Sequence, residues 1–192
     1  MDADFSVELG ADDPTLEFPW EDAGTALRHF DIRKHPEQIR FVDEAEHYRE
    51  LHDFLVAINA GVSQFESAKC DVWTDDELSA AEDVYDGTLK FASYVDLIFC
   101  SASGHRGSFP THEKLARRIA ELLGKAPEMS AQAEFIIRRC YFRDEPAAPD
   151  GFYYTFYLSG YGSDEAEARS RWGIALNLVQ NALLQVSAES KF

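Results

Sequence analysis

The chain has 192 residues, enough for one substantial core, and 45% of them are apolar, including 14 Phe and 8 Tyr; such a composition excludes general disorder. The formal charge of −17 sits wholly in the first half: residues 1–100 carry 24 acids against 7 bases, and residues 101–192 carry 11 of each. A field of that sign repels nucleic acid and anionic membranes and favours a basic protein partner or plain solubility, with a salt-adapted proteome as a further option.

Residues 1–30 show no clean period and contain Gly10, Pro14, Pro19 and Gly24. They predict an irregular N-terminal arm pinned by Phe18 and Trp20, ahead of a single α+β domain over 31–192. Phe30–Val42 is ambiguous between a short strand and a helical turn around Pro36. Asp43 and Glu46 then form a capping box, and Tyr48, Leu51, Leu55 and Ile58 make one stripe. Together they predict a helix over 44–59, stopped by Gly61. The run FESAKCDVW predicts a strand ending near Trp73. Thr74 with Glu77 predicts a short helix through Tyr85, and Asp86-Gly87 a turn. Leu89–Cys100 alternates as a strand, and Leu115, Ile119 and Leu122 mark a helix ending at Gly124.

Glu134–Arg143 and Phe152–Tyr161 read as two more strands, joined across the turn-rich DEPAAPDG. The second puts Phe152, Tyr154, Phe156 and Leu158 on one face and Tyr153, Thr155, Tyr157, Ser159 and Tyr161 on the other. Trp172, Leu176, Val179, Leu183 and Val186 stripe a last helix that begins at Ser163 or Asp164. The expected fold is therefore α+β, an antiparallel sheet of about four strands in the order α-β-β-α-β-β-α. The parallel spacing of Cys70 to Asp86-Gly87 and Cys140 to Asp150-Gly151 leaves a duplicated ββα unit as an option.

Residues 100–109, CSASGHRGSF, follow a predicted strand and precede a predicted helix. CSASGHR resembles the active-site signature of the cysteine-dependent protein phosphatases, a Cys, five residues and an Arg. That resemblance implies Cys100 as nucleophile, Arg106 as the phosphate clasp and Asp75 as the acid for the leaving group. In this family a His usually precedes the Cys and a Ser or Thr follows the Arg; here those places hold Phe99 and Gly107. Pro110 and Thr111 also place the helix start several residues beyond the Arg, out of the reach of its dipole. The favoured reading is a strand-to-helix connector, with a small cysteine-dependent hydrolase as the alternative.

Three cysteines without paired spacing (Cys70, Cys100, Cys140) fit reduced thiols in a cytoplasm. Glu44-Ala-Glu-His47 has the spacing of one half of a di-iron ligand set, but it occurs once, so no metal or cofactor is expected. The tyrosine face, Tyr153, Tyr157 and Tyr161 with Arg139 and Tyr141 of the neighbouring strand, is the candidate binding surface, since aromatic and Arg side chains dominate interfaces. The element order and charge are similar in pattern to the small acidic secretion chaperones, and an immunity-type inhibitor of a basic toxin fits the same charge. The expected protein is non-enzymatic and cytoplasmic, binds a basic protein partner rather than nucleic acid or membrane, and forms a homodimer.

Overall fold

The computed structural model describes residues 1–147 and 149–189. The predicted turn over 144–151 and the predicted domain to 192 include Ala148 and 190–192, which lie outside the described residues. In chain order the elements are β1 (Asp2–Val7), β2 (Thr15–Phe18), α1 (Asp43–His47), α2 (Arg49–Ile58), β3 (Phe65–Asp75), β4 (Leu89–Phe99), α3 (Phe109–Leu123), β5 (Ala131–Phe142), β6 (Asp150–Gly162) and α4 (Glu165–Glu189).

The strongest alternating segments form the middle of the sheet, whose order is β1-β5-β6-β4-β3. β3, β4, β6 and β5 pair antiparallel in turn. Their period-two pattern sends Val95, Leu97, Phe135, Ile137, Tyr154 and Phe156 to one face, where α2, α3 and α4 close a single large core. α4 packs on β6 and β4 with α2 and α3 on its flanks, so it is covered on three sides, and small residues such as Ala168 and Ala175 are as buried as Leu176. Trp172 is fully buried, and its Nε1 donates to Ser93 Oγ at 2.9 Å, so the one polar atom it carries into the core is satisfied.

The sheet is larger and less regular than the sequence predicts. It has six strands and is mixed, because β1 and β2 both pair parallel with β5, end to end along one edge: β1 against Gln132–Ile137 and β2 against Arg139–Phe142. Residues expected as an irregular arm are thus edge strands. Each is too short to show a period, and their partner lies more than 120 residues away. The two hairpins β3-β4 and β5-β6 do meet along β4 and β6, as a duplication would place them. Their helices sit differently, however, with α3 against β1 and α4 against β6 and β4.

Two further expectations change. The helix over 44–59 is broken at Tyr48 (φ −122°, ψ 101°), whose ring turns inward against Phe91 and Trp172 at 5.4 and 6.4 Å. No side chain caps α1, and Asp43 lies inside it. The helix expected after Trp73 is absent: β3 continues to Asp75, whose Oδ1 takes the Glu77 N–H, and only a turn at Asp83–Tyr85 is helical. Packing against β4 overrides the local capping signal.

Gly160 and Gly162 lie on the helix-covered face of β6, and they let α4 come down onto the strand. A Cβ at Gly160 would stand 2.3 Å from Trp172 N and 2.4 Å from Ala168 O; at Gly162 it would stand 2.5 Å from Ala168 N. Neither the strand nor the helix backbone has freedom to withdraw. Gly160→Ala is expected to destabilise the fold by about 1–3 kcal/mol through overpacking, read as a lower urea midpoint with the slope unchanged.

Candidate functional site

Arg106, from the connector after β4, is only 5% exposed and shares a small cavity with Cys100. Its Nε donates to Phe99 O at 2.8 Å, Nη1 to Glu145 Oε1 at 2.8 Å and to both Asp144 oxygens at 3.1 and 3.2 Å, and Nη2 to Glu66 Oε1 at 2.7 Å. The guanidinium also lies over the rings of Phe142 and Phe18, at 4.4 and 5.5 Å. Burial works against this charge, but the bonds and fields of Asp144 and Glu66 hold its pKa above the ordinary value. The loop amides turn inward on their own segment: Ser103 N–H to Cys100 O, Gly104 N–H to Ser101 O, His105 N–H to Ser103 Oγ. Gly104 closes that turn at φ +69°, the left-handed region that glycine enters most easily.

Of the three residues of the phosphatase resemblance, Cys100 and Arg106 line one cavity and Asp75 lies outside it. Asp75 pairs with Lys90 at the far end of the β3-β4 hairpin, roughly 33 Å along the strand from Cys100. α3 starts at Phe109, capped by Ser108, with a proline in its first turn. Burial raises the thiol pKa of both Cys70 and Cys140, the setting of inert cysteines.

The other candidate residues divide between the two faces of the sheet. Register pairs Arg139 with Phe152 and Tyr141 with Asp150, which puts both on the helix side and away from the tyrosine row. Arg139 bonds Leu9 O, and Tyr141 is exposed at the end of β5. The basic neighbour of the tyrosines is Arg138, opposite Tyr153, so the sequence reading was off by one residue of register.

Tyr153, Tyr157 and Tyr161 do share the second face, but two of them are covered. Tyr153 is 3% exposed, beneath a small cluster of Leu16, Phe18, Ile98, Cys140 and Phe142. Tyr161 is fully buried: Tyr85 stacks on it at 4.3 Å, and its hydroxyl donates to Glu82 Oε1 at 3.0 Å. What stays open is a band across the middle of this face. It carries Tyr157 beside Tyr94 (ring centroids 6.0 Å apart), with Trp73, Asp71, Glu134 and Asp4 around them. Among the described residues Asp4 and Asp71 accept from their neighbours Phe5 N and Val72 N, and Glu134 accepts from Ser6 Oγ across the strand pair.

Residues 20–29 fold into a small hairpin across the first half of β3, closed by a Glu21–Arg28 bridge and anchored by Trp20 Nε1 to Ala68 O at 2.7 Å. Ala68 is the residue of the bulge between Ser67 and Lys69, where β3 bends, and buried Asn59 bonds Ser67 through both its amide atoms. Between hairpin, bulge and α1 opens a cleft of about 620 Å³ lined by aromatic and acidic side chains. Glu44 lines it, and burial, with Asp71 and Asp43 adding to it, raises that carboxyl's pKa. His47, the other half of the Glu-x-x-His spacing, is exposed, with Nδ1 2.7 Å from Asp43 O.

Beside the band, on the same face, a polar chain crosses the sheet. Glu8 pairs with Arg138, Arg138 Nη1 donates to Thr155 Oγ1, and Thr155 donates to Asp96 Oδ1, the last two bonds each 2.8 Å. Asp96 is buried, and burial lifts its pKa to about 6. Because this carboxyl holds its proton to higher pH when folded, its ionisation removes stability as pH rises from about 4 to about 6. Asp96→Asn keeps the acceptor for Thr155. It is expected to match the parent protein below that window and to be about 2–3 kcal/mol more stable above it, measured by urea unfolding at stepped pH.

Arg106 gives the second test. Arg106→Ala, which leaves three carboxylates facing a buried gap, is expected to cost about 3–5 kcal/mol, and Arg106→Lys to recover only part of that, since an ammonium cannot span the same partners. Unfolding midpoints unchanged in both variants would contradict this structural role. No family model matches the chain, and neither a curated protein nor a solved structure matches it.

Proposed function

We propose that the protein is a non-enzymatic binding domain that holds a basic protein partner against its open sheet band and the adjoining cleft, as a chaperone or an inhibitor of a basic protein would. The observation that carries this reading is the charge state of the second face. Its bases are engaged within the chain: Arg138 by Glu8, Lys90 by Glu82 and Asp75, and Lys69 over the Trp20 ring. Its acids Asp4, Asp71 and Glu134 have no ion pair among the described residues. The face therefore offers half-buried aromatic surface inside an unneutralised acidic rim, the combination that recruits a basic surface quickly and then packs against it.

The same charges bear on the expected homodimer. A second copy facing this band would set Asp4, Asp71 and Glu134 against like charges, so a basic partner fits it better than a copy does. No helix among the described residues is long and apolar enough to cross a membrane.

The test uses a basic probe protein, lysozyme, in size-exclusion runs at roughly 0.05 M and roughly 1 M salt, with folding checked by circular dichroism at both. A complex is expected at low salt and separate species at high salt. The double variant Asp4→Asn/Glu134→Gln is expected to weaken the complex about 3- to 10-fold. Separate species at low salt, from folded protein, would overturn the reading.

A further inference from the structure

We infer that the cleft between the residue 20–29 hairpin and the edge of β3 is the anchor point of that recognition, and that it takes an arginine side chain presented on an extended segment of the partner. The inference rests on the acidic-binder reading and names the group that enters. At about 620 Å³ the cleft has the volume of a pocket that encloses a small ligand-sized group. Trp20, Phe30, Phe41 and Tyr94 give it aromatic walls, and Glu21, Asp22, Asp43, Glu44 and Asp71 face it from the hairpin, α1 and β3.

Among the described residues two bases, Arg28 and Lys69, line the cleft, and the protein shows what its rings attract. Lys69 Nζ lies 4.8 Å above Trp20, Arg28 lies 5.8 Å from the centre of Phe30, and Arg40, just outside, lies 4.7 Å from the centre of Phe41. Three of the four rings thus already carry one of the chain's own cations, which shows what their faces accept. Arginine fits this set better than lysine: its planar guanidinium stacks on a ring while its edge takes a carboxylate with two bonds, and it is the more weakly hydrated cation. The mouth adds apolar surface for its stem. Leu27 and Phe41 are 59% and 49% exposed, large side chains left in water beside a cavity.

The backbone favours an extended carrier. Beyond the bulge, β3 is an edge strand whose Val72 N–H donates to the neighbouring Asp71 carboxylate at 2.7 Å. A partner strand laid there would hold its side chains at the cleft mouth. A second copy of this chain is the poorer occupant, because the cleft and the surface around it are acidic.

The experiment follows the anisotropy of a short fluorescent peptide alternating glycine and arginine, against the same peptide with lysine or with neutral citrulline. The arginine peptide is expected to bind about tenfold tighter than the lysine peptide, and the citrulline peptide not measurably. Phe41→Ala, at a half-exposed position, and Asp71→Asn, at an exposed one, leave the fold intact and are each expected to weaken the arginine peptide about three- to tenfold. Asp4→Asn/Glu134→Gln is expected to leave it within about twofold. Equal binding of arginine and lysine peptides, or loss in the band variant but not in the cleft variants, would overturn this inference while the acidic-binder reading stands. No binding of either cationic peptide or of lysozyme at low salt would overturn both.

Discussion

One buried guanidinium fixes much of the molecule. Arg106 joins the end of β4, the start of β3 and the turn after β5, and it lies over the rings of Phe18 and Phe142. Phe18 is the last residue of β2, so the same contact sets where the chain leaves the sheet edge and turns onto the second face. From there the hairpin reaches β3, and Arg33 ties the following segment to the carbonyls of Ala60, Ser63 and Phe65. The cleft exists because these two arginines pin both ends of a segment with little secondary structure of its own. A buried cation bonded by three carboxylates is a costly device for stability alone; its specificity lies in admitting one arrangement of four chain segments.

The two faces of the sheet solve different problems. The helix-covered face is packed for density, to the point that β6 dispenses with side chains where α4 descends. The second face is closed at its ends by the Phe18–Phe142 cluster and by residues 76–88, while its centre stays polar and half open. The Glu8–Arg138–Thr155–Asp96 chain lies in that centre beside the tyrosines, so its polar groups bond one another.

The core was legible in the sequence because it obeys simple periods. β4, β5, β6 and α4 announce themselves by alternation or by a helical stripe, and the structure places them within a few residues. The N-terminal strands were not legible: TLEF is four residues long, and its partner is chosen by tertiary pairing rather than local pattern. The late helix start after CSASGHR was legible from Pro110, though nothing local shows that Arg106 serves Glu66 and Asp144. The tyrosine row was legible as a row, but burial was not, since the groups that cover Tyr153 and Tyr161 come from segments without a period. The cleft was invisible for the same reason; its only trace was the cluster of Trp20, Phe30 and Phe41 among acids in an irregular stretch.

The pairing of β1 and β2 with β5 has a consequence in time. Their partner strand begins at Ala131, so during synthesis the first eighteen residues wait for more than a hundred others before they have an edge to join. The hairpin that walls the cleft hangs from β2 and cannot settle earlier. The cleft therefore takes shape only after β5 has been made: a copy cut short before Ala131 carries the full acidic charge of residues 1–100 without the sheet edge that positions the hairpin.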